Sequence, residues 1–278
     1  MAITNFQQTV WSKVIQTQLE TITSLKDHCD YSFQGEAKMA ERVKILGVAK
    51  PTISTYVPGT DLTRESGKDN SQFLDIDQYK YFNIEVEDID QAQGVAGLME
   101  SLTKEATIAL SEEADKYVAS VIKAAASQVD GVKMDISAVT DGGIAHLEQA
   151  FKKLYENNVR PNSKFWLEIS PEWYTLLRPA ILELDTNNTE MIKSGAVGKY
   201  GNALITIENN LPQTVTVDSQ ACTYVNILRT DKAVAFVGAI DKVEAYRPDD
   251  AFSDALKGLY VYGAKLVRPE QVCLIGVY

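Results

Sequence analysis

The two histidines are the residues best suited to proton transfer near neutral pH, and each stands alone in its segment. His28 is followed by Cys29 and Asp30, a trio whose residue types suit a metal or nucleophile site. Because neighbouring residues on a helix point about 100° apart, these three side chains would not converge on one ligand. We therefore interpret His28 as a residue at the end of a helix and His146 as an isolated histidine.

Motifs that could activate a nucleophile or bind a phosphate are incomplete. The S-x-x-K matches at Ser101 and Ser120 lie inside a long helical pattern, where no strained turn can expose a nucleophile. The glycine-rich run from Gly195 to Gly201 lacks G-x-G-x-x-G spacing and has Tyr200 where a P-loop carries Ser or Thr, so it indicates a tight turn before a strand. A cytosolic hydrolase with an Asp/Glu pair stays open, because such partners meet only in the fold.

The densest carboxylate cluster runs from Asp75 to Asp90, with Lys80 as its single cation. It lacks the glycine and the D-x-D-x-D spacing of a calcium-binding EF-hand loop. We interpret it as a solvated strand face that meets a basic surface on a neighbour. Together with the incomplete motifs, this pattern predicts no catalytic residues, no cofactor and no metal.

Composition is that of an ordinary globular protein, with 45% hydrophobic and 23% charged residues and a formal net charge of -11. Such an acidic surface gains nothing from counterion release at phosphates, which argues against nucleic-acid binding along the whole chain. Neither a membrane span nor a signal peptide is indicated, so we expect a protein made and used in the cytoplasm. The three cysteines, Cys29, Cys222 and Cys273, form no C-x-x-C pair and are expected to be buried thiols.

Periodicity in the first third of the chain changes from helical to strand-like. Helical spacing from about Phe6 to Asp27 predicts an amphipathic N-terminal helix. Strand-like runs begin at Val43, and the polar segment from Gly59 to Gln72 is predicted as an exposed loop tip. Residues alternate between apolar and polar from Tyr79 to Glu87, which completes a long hairpin that needs another surface to lie on.

A spine helix dominates the middle of the sequence. The pattern from Leu98 to Gln128 contains no Gly or Pro and predicts a helix of about 45 Å. Thr140 or Asp141 is suited to cap the next helix, which ends at Asn157-Asn158 before Pro161. A strand is predicted from Phe165 to Ile169 and a short helix from Pro171. Strands and helices alternate from there to about Asp241, which indicates an α+β or α/β domain, and the remainder is rich in strands.

This order of elements resembles that of the major capsid proteins of tailed bacteriophages, whose fold is shared with herpesvirus shells and encapsulins. The resemblance covers essentially the whole chain. It is carried by AITNFQQTVWS near the start, DIDQYKYFNIEVEDIDQAQ (Asp75 to Gln93), GKYGNALITIENNLP (Gly198 to Pro212) and AYRPDDAFSDALKGLYVYGAKLVRPE (Ala245 to Glu270).

The resemblance implies a division of the chain and a structural role. The implied parts are an N-terminal arm (1–30), an extended E-loop with flanking strands (31–90), a peripheral domain with the spine helix (91–139), an axial domain (140–242) and peripheral return strands (243–278). Hexamers and pentamers would form an icosahedral head around double-stranded DNA, assembled in the host cytoplasm without a membrane. An encapsulin-type compartment shell is the alternative.

Partners and contacts follow from the same resemblance. A portal protein is the expected partner, with scaffolding and decoration proteins as optional ones. Because the arm begins almost at Met1, either a separate scaffolding protein or none is expected. The E-loop of one subunit would lie over its neighbour. The candidate contact residues are Trp11, Val14, Arg64, Glu65, Lys68, Glu85, Glu87 and Asp88.

Overall fold

The computed structural model describes residues 24–34, 42–46, 52, 53, 55, 59, 61, 71–87, 98–139, 141–183, 198–249 and 252–278. The helices are α1 (Leu98–Ala124), α2 (Ile144–Glu156) and α3 (Pro171–Glu183). The strands are β1 (Arg42–Ile45), β2 (Gln72–Asp75), β3 (Gln78–Glu87), β4 (Asp130–Met134), β5 (Phe165–Ile169), β6 (Lys199–Tyr200), β7 (Ala203–Ile207), β8 (Gln213–Val217), β9 (Gln220–Thr230), β10 (Val234–Tyr246), β11 (Ser253–Leu266) and β12 (Val272–Val277).

Helix α1 confirms the predicted spine, although it ends slightly earlier than expected. After Ala124 the chain tightens into a 3-10 turn at Ala126–Gln128. An i,i+4 ion pair runs along the helix, with Lys116 Nζ 2.8 Å from Glu112 Oε1. The apolar side of α1 is fully buried at Val118 and Ile122, where it packs against residues of a seven-stranded sheet and of a three-stranded sheet. The helix therefore joins the two sheets through one shared core.

The larger sheet has seven strands in the order β4-β12-β9-β5-β7-β6, with β8 paired to β9. Alternate residues of β12 enter different cores: Leu274 packs on the side of α1, and Ile275 packs on the side of α2 and α3. A strand buried on both faces is expected to be continuously apolar, as β12 is. Of the strands after Val243, β11 belongs to the smaller sheet, whereas β12 pairs with β9 and β4 of the larger one.

The smaller sheet has three strands in the order β10-β11-β3. The sequence predicted a hairpin between the Val43 region and β3, and this pairing is wrong. Strand β3 pairs with β11, whereas β1 pairs with β2, which begins at Gln72 where the predicted loop tip ends. The β1–β2 pair buries Val43 and Leu74 against the smaller sheet, which supplies the surface that a marginal hairpin needs.

Gly263 allows the β1–β2 pair to approach β11 closely. A Cβ at this position would lie 2.2 Å from the Asp75 carbonyl oxygen, a backbone atom that cannot rotate away. The absent side chain is thus a requirement of the contact between the pair and the sheet.

We expect Gly263→Ala to lower the free energy of unfolding by about 1–3 kcal/mol, because β2 must move to accept the new methyl group. The matched control is Gly238→Ala in β10, where the nearest atom to an added Cβ is the Tyr260 hydroxyl at 3.4 Å. Chemical denaturation of the full chain measures both variants. Equal losses for the two would contradict this explanation.

Candidate subunit interface

Arg229 on β9 and Glu168 on β5 form an ion pair with no solvent exposure of either side chain. The guanidinium donates through Nη2 to Glu168 Oε1 at 2.7 Å and through Nε to Glu168 Oε2 at 3.0 Å. Nη2 also donates to the Leu25 carbonyl oxygen at 2.6 Å. Although burial acts against the charged form, the carboxylate holds the pKa of Arg229 above its ordinary value. The guanidinium therefore stays charged, and the pair binds the segment 24–30.

His28 completes this buried group. Its Nδ1 lies 2.8 Å from Glu168 Oε1, and its ring stacks on Trp166 with centroids 3.5 Å apart. The expected helix end is replaced by a hydrogen-bonded turn at this point, and His28 is held against β5. Burial raises the pKa of the adjacent Cys29 thiol, which keeps it protonated. All three cysteines are free and buried, as expected.

Two further carboxylates hold the start of the same segment. Glu208 Oε2 accepts from the backbone N–H of Ser24 at 2.9 Å and from its hydroxyl at 2.8 Å. Asp115 on α1 accepts from the Lys26 N–H at 2.8 Å and from Asn210 Nδ2 at 3.3 Å. Burial, and then the charge of Glu208, raises the pKa of Asp115 to about 7. The segment that follows residues 1–23 is thus fixed to both the helix and the larger sheet.

Sequence reasoning did not find this network, although a signal was available. Glu168 and Arg229 are single charged residues in the otherwise apolar runs FWLEI and VNILR. Charged side chains are almost never fully buried unless they are paired, so one of each sign in two such strands indicates a partnership. What the sequence could not give was the adjacency of β5 and β9.

The exposed surface suited to association is one face of the smaller sheet, which we call the outer sheet face. Tyr79 and Tyr81 of β3 are 61% and 77% exposed, and Leu259 of β11 is 37% exposed. Tyr81 and Leu259 are directly opposed, and their row continues to Lys242 of β10. A cavity of about 340 Å³ lies over this row. Aromatic and aliphatic groups gathered in a groove are typical of a protein contact.

Polar pairs border the apolar row. Lys257 Nζ lies 3.3 Å from Glu244 Oε2 and 5.1 Å from the centre of the Tyr246 ring. The Tyr246 hydroxyl donates to Asn83 Oδ1 at 3.1 Å. The face thus combines an apolar centre with a polar rim, the usual anatomy of an interface.

Of the predicted contact residues, Glu85 and Glu87 lie exposed near the end of β3. Glu85 Oε1 accepts a hydrogen bond from the Ser253 hydroxyl. The other candidates lie outside the described residues; they are Trp11, Val14, Arg64, Glu65, Lys68 and Asp88.

Two other members of the acidic cluster make separate contacts. Asp75 pairs with Arg42, and Asp77 accepts from the Tyr117 hydroxyl at 3.0 Å. Within the described part of the chain, no three His, Cys, Asp or Glu side chains are placed to hold a metal ion. Nor does any helix described there have the length and apolarity to cross a membrane.

The motif matches also have structural explanations. Ser120 Oγ donates to the Tyr117 carbonyl at 2.7 Å, and Lys123 Nζ donates to the Gln213 carbonyl at 2.7 Å, so both groups are used to hold the helix. Gly201 adopts a φ of 54° in the turn between β6 and β7, which confirms the expected tight turn. His146 lies on α2, and its buried Nδ1 has no hydrogen-bond partner among the described groups.

Arg229→Met should lower the free energy of unfolding by about 3–5 kcal/mol, because it leaves the Glu168 charge buried without its partner. Lys152→Met is the control, since Lys152 forms an exposed pair with Glu156 and such pairs contribute about 0–1 kcal/mol. Urea denaturation of the full chain compares them. A small loss for Arg229→Met would contradict the role given to this pair.

Asp115 should give stability a pH dependence of defined sign. Its pKa of about 7 lies above the ordinary 3.8, so between these pH values the folded chain binds more protons than the unfolded chain. This group's contribution to the free energy of unfolding therefore falls as pH rises through that window. Asp115→Asn, which does not titrate, should gain stability relative to wild type between about pH 5 and pH 8. A difference in urea midpoint that is constant with pH would refute the assignment.

Comparisons with known proteins agree with this architecture. A structure from Mycobacterium phage Che8 shares 30% identity with the chain at a TM-score of 0.78, covering 99% of this chain and 98% of that one. The capsid of cyanophage P-SCSP1u shares 18% identity at a TM-score of 0.73, covering 98% of this chain and 93% of that one. The mature capsid of bacteriophage PhiM1 shares 14% identity at a TM-score of 0.72, covering 98% and 92% respectively.

The predicted α+β capsid fold is thereby confirmed, with the two lower identities supporting the fold alone. No curated protein matches the chain. A family model described as phage capsid protein matches residues 69–275, which is more than half of the sequence. The chain therefore belongs to the phage capsid protein family.

Proposed function

We propose that this chain is the major capsid protein of a tailed phage, building the hexamers and pentamers of an icosahedral head around double-stranded DNA. The observation that carries the proposal is the outer sheet face, an apolar groove left open on a chain of the phage capsid protein family. Its role is structural rather than enzymatic. Assembly takes place in the host cytoplasm, and the mature location is the virion capsid.

For the parts of the chain we adopt the division implied by the resemblance to phage capsid proteins, namely arm 1–30, E-loop 31–90, peripheral domain 91–139, axial domain 140–242 and peripheral return strands 243–278, with one change. Because β4 and β12 pair within the larger sheet, we assign both strands to the axial domain, although they lie outside 140–242. Helix α1 then joins the peripheral and axial parts through the core that it shares with both sheets.

The outer sheet face of one subunit packs on the next subunit. Tyr81 and Leu259 lose their contact with water there, and truncating buried aromatic anchors at interfaces typically costs about 2 kcal/mol or more. Glu85 and Glu87, at the acidic end of the same sheet, add contacts of opposite charge. The same face cannot meet its own copy in a ring, so the contact is heterologous and closes by rotation.

Other partners follow from the shell. A portal protein binds the lattice, scaffolding and decoration proteins are optional further partners, and DNA is enclosed without sequence-specific contacts. A net charge of -11 supports this, because a wall of low positive charge density does not bind phosphates strongly.

The test is assembly of the full chain with Tyr81→Ser and Leu259→Ser combined. We expect the particle fraction to fall at least about tenfold while the melting temperature of the subunit is unchanged, because both side chains are already exposed in the single chain. Sedimentation and negative-stain microscopy measure the particles.

Tyr278→Ser is the control, since Tyr278 is 45% exposed beyond β12 and away from the groove. Wild-type particle yield from the combined variant would contradict the interface. A wild-type chain that stays monomeric under all assembly conditions would contradict the shell function itself.

A further inference from the structure

The larger sheet carries a second cavity, which we call the basic cavity, where it meets the smaller sheet. Its volume is about 410 Å³. It lies between the chain that leaves α2, the turn that joins β9 to β10, and the link between β11 and β12. Nothing in the shell function described above uses this cavity.

The charges of the basic cavity are opposite to those of the chain as a whole. Four cations line it, namely Arg160, Lys164, Lys232 and Arg268, against the single carboxylate of Asp231. None of the four makes an ion pair with a residue in the described ranges, and Lys164 instead lies 4.1 Å from the centre of the Trp166 ring. Four positive charges in one cavity repel one another, so the arrangement is unfavourable unless an anion binds there.

The backbone around the basic cavity is fixed before any ligand arrives. Asn158 adopts a φ of 61°, which turns the chain after α2, and the Val159 N–H donates to the Leu154 carbonyl at 3.1 Å. The Ala233 carbonyl accepts from Val267 N–H at 2.9 Å and from Arg268 N–H at 3.1 Å, tying the two connections together. The cations are therefore presented from a rigid base.

The available hydrogen-bonding groups define the ligand as an acceptor. Thr230 Oγ1 donates to Gln271 Oε1 at 2.6 Å, which leaves the Gln271 amide nitrogen as one more donor at the lining. Ammonium and guanidinium groups are donors only, so the four cations favour an occupant that carries several oxyanion lone pairs. A DNA duplex presents its phosphates on a convex rod and would touch only the rim of a concave site. Carboxylate side chains on a protruding strand end can enter it.

Such a strand end exists on the same chain, at the far end of β11. Glu85 and Glu87 are exposed beside Ser253, where β11 begins, and the sequence continues with Asp88 and Asp90. Arg247, the cation of this region, pairs with Asp254 at 3.4 Å. The acidic end and the basic cavity lie at opposite ends of a strand of 14 residues, about 45 Å apart at 3.4 Å per residue.

We propose that the basic cavity receives the acidic end of β3 from a second copy of this chain. This rests on the proposed shell function, since it requires copies arranged head to tail. Two complementary charge clusters at opposite ends of one rigid sheet cannot meet within a subunit. They meet between neighbours, and each contact leaves one free cluster of each sign for the next copy, which is the condition for a ring.

The test is a charge reversal with rescue, carried out on the full chain. Arg160→Glu with Arg268→Glu should lower the particle fraction by about tenfold or more, because like charges would then face each other across the contact. Glu85→Lys with Glu87→Lys should do the same from the other side. All four changes in one chain should restore a large share of the particles, while Lys133→Glu with Lys152→Glu, the control of equal charge change, should assemble as wild type.

Each result bears on a different statement. If wild type assembles and the cavity reversal has no effect, the basic cavity is not a contact, while the shell function stands. If the reversal prevents assembly, the fourfold variant gives no rescue, and inorganic phosphate raises the wild-type melting temperature but not that of the reversal, the occupant is a free phosphate and our proposal is wrong. If the fourfold variant restores particles and phosphate does not change the wild-type melting temperature, a second copy of the chain is supported as the occupant.

Discussion

The buried pair between Glu168 and Arg229 is the interaction on which the rest of the structure depends. Both charges lie in adjacent strands with no exposure, so each is tolerated only because the other is present. The same two side chains bind the Leu25 carbonyl and the His28 ring nitrogen. One ion pair thus joins the middle of the larger sheet to the segment that follows the N-terminal residues. The path of that segment is set by electrostatics rather than by apolar packing alone.

The two sheets are joined directly by two chain connections that lie side by side. Strand β9 belongs to the larger sheet and β10 to the smaller one, with only residues 231–233 between them. Strands β11 and β12 repeat this change of sheet through residues 267–271. Hydrogen bonds to the Ala233 carbonyl tie these two connections to each other, and α1 packs on both sheets. A load on the outer sheet face is therefore transmitted to the larger sheet without a flexible linker.

Local pattern was enough to predict most of the elements. Helix α1, the strand Phe165–Ile169 and the helix that begins at Pro171 all lie where periodicity and capping placed them. The pairing of the strands was harder to predict, because alternation indicates which face of a strand is buried and not which strand lies beside it. Strand β3 shows the difference: its alternation was correct, but its partner is β11 and not the run at Val43. The buried network was not predicted for the same reason, since its members are separated by up to 204 residues in the chain.

The distribution of charge on a shell subunit distinguishes the correct arrangement of its neighbour from displaced ones. The acidic end of β3 and the basic cavity are separated by about 45 Å, several times the Debye length of about 8 Å at physiological ionic strength. They therefore contribute almost nothing to each other's energy within one subunit. Apolar contact through Tyr81 and Leu259 is strong but tolerant of sliding, because it is not directional. The charge clusters make a displaced neighbour less stable, because a shift between the two subunits places cations beside cations. On this argument the groove supplies affinity, and the paired clusters select the one register in which the ring closes.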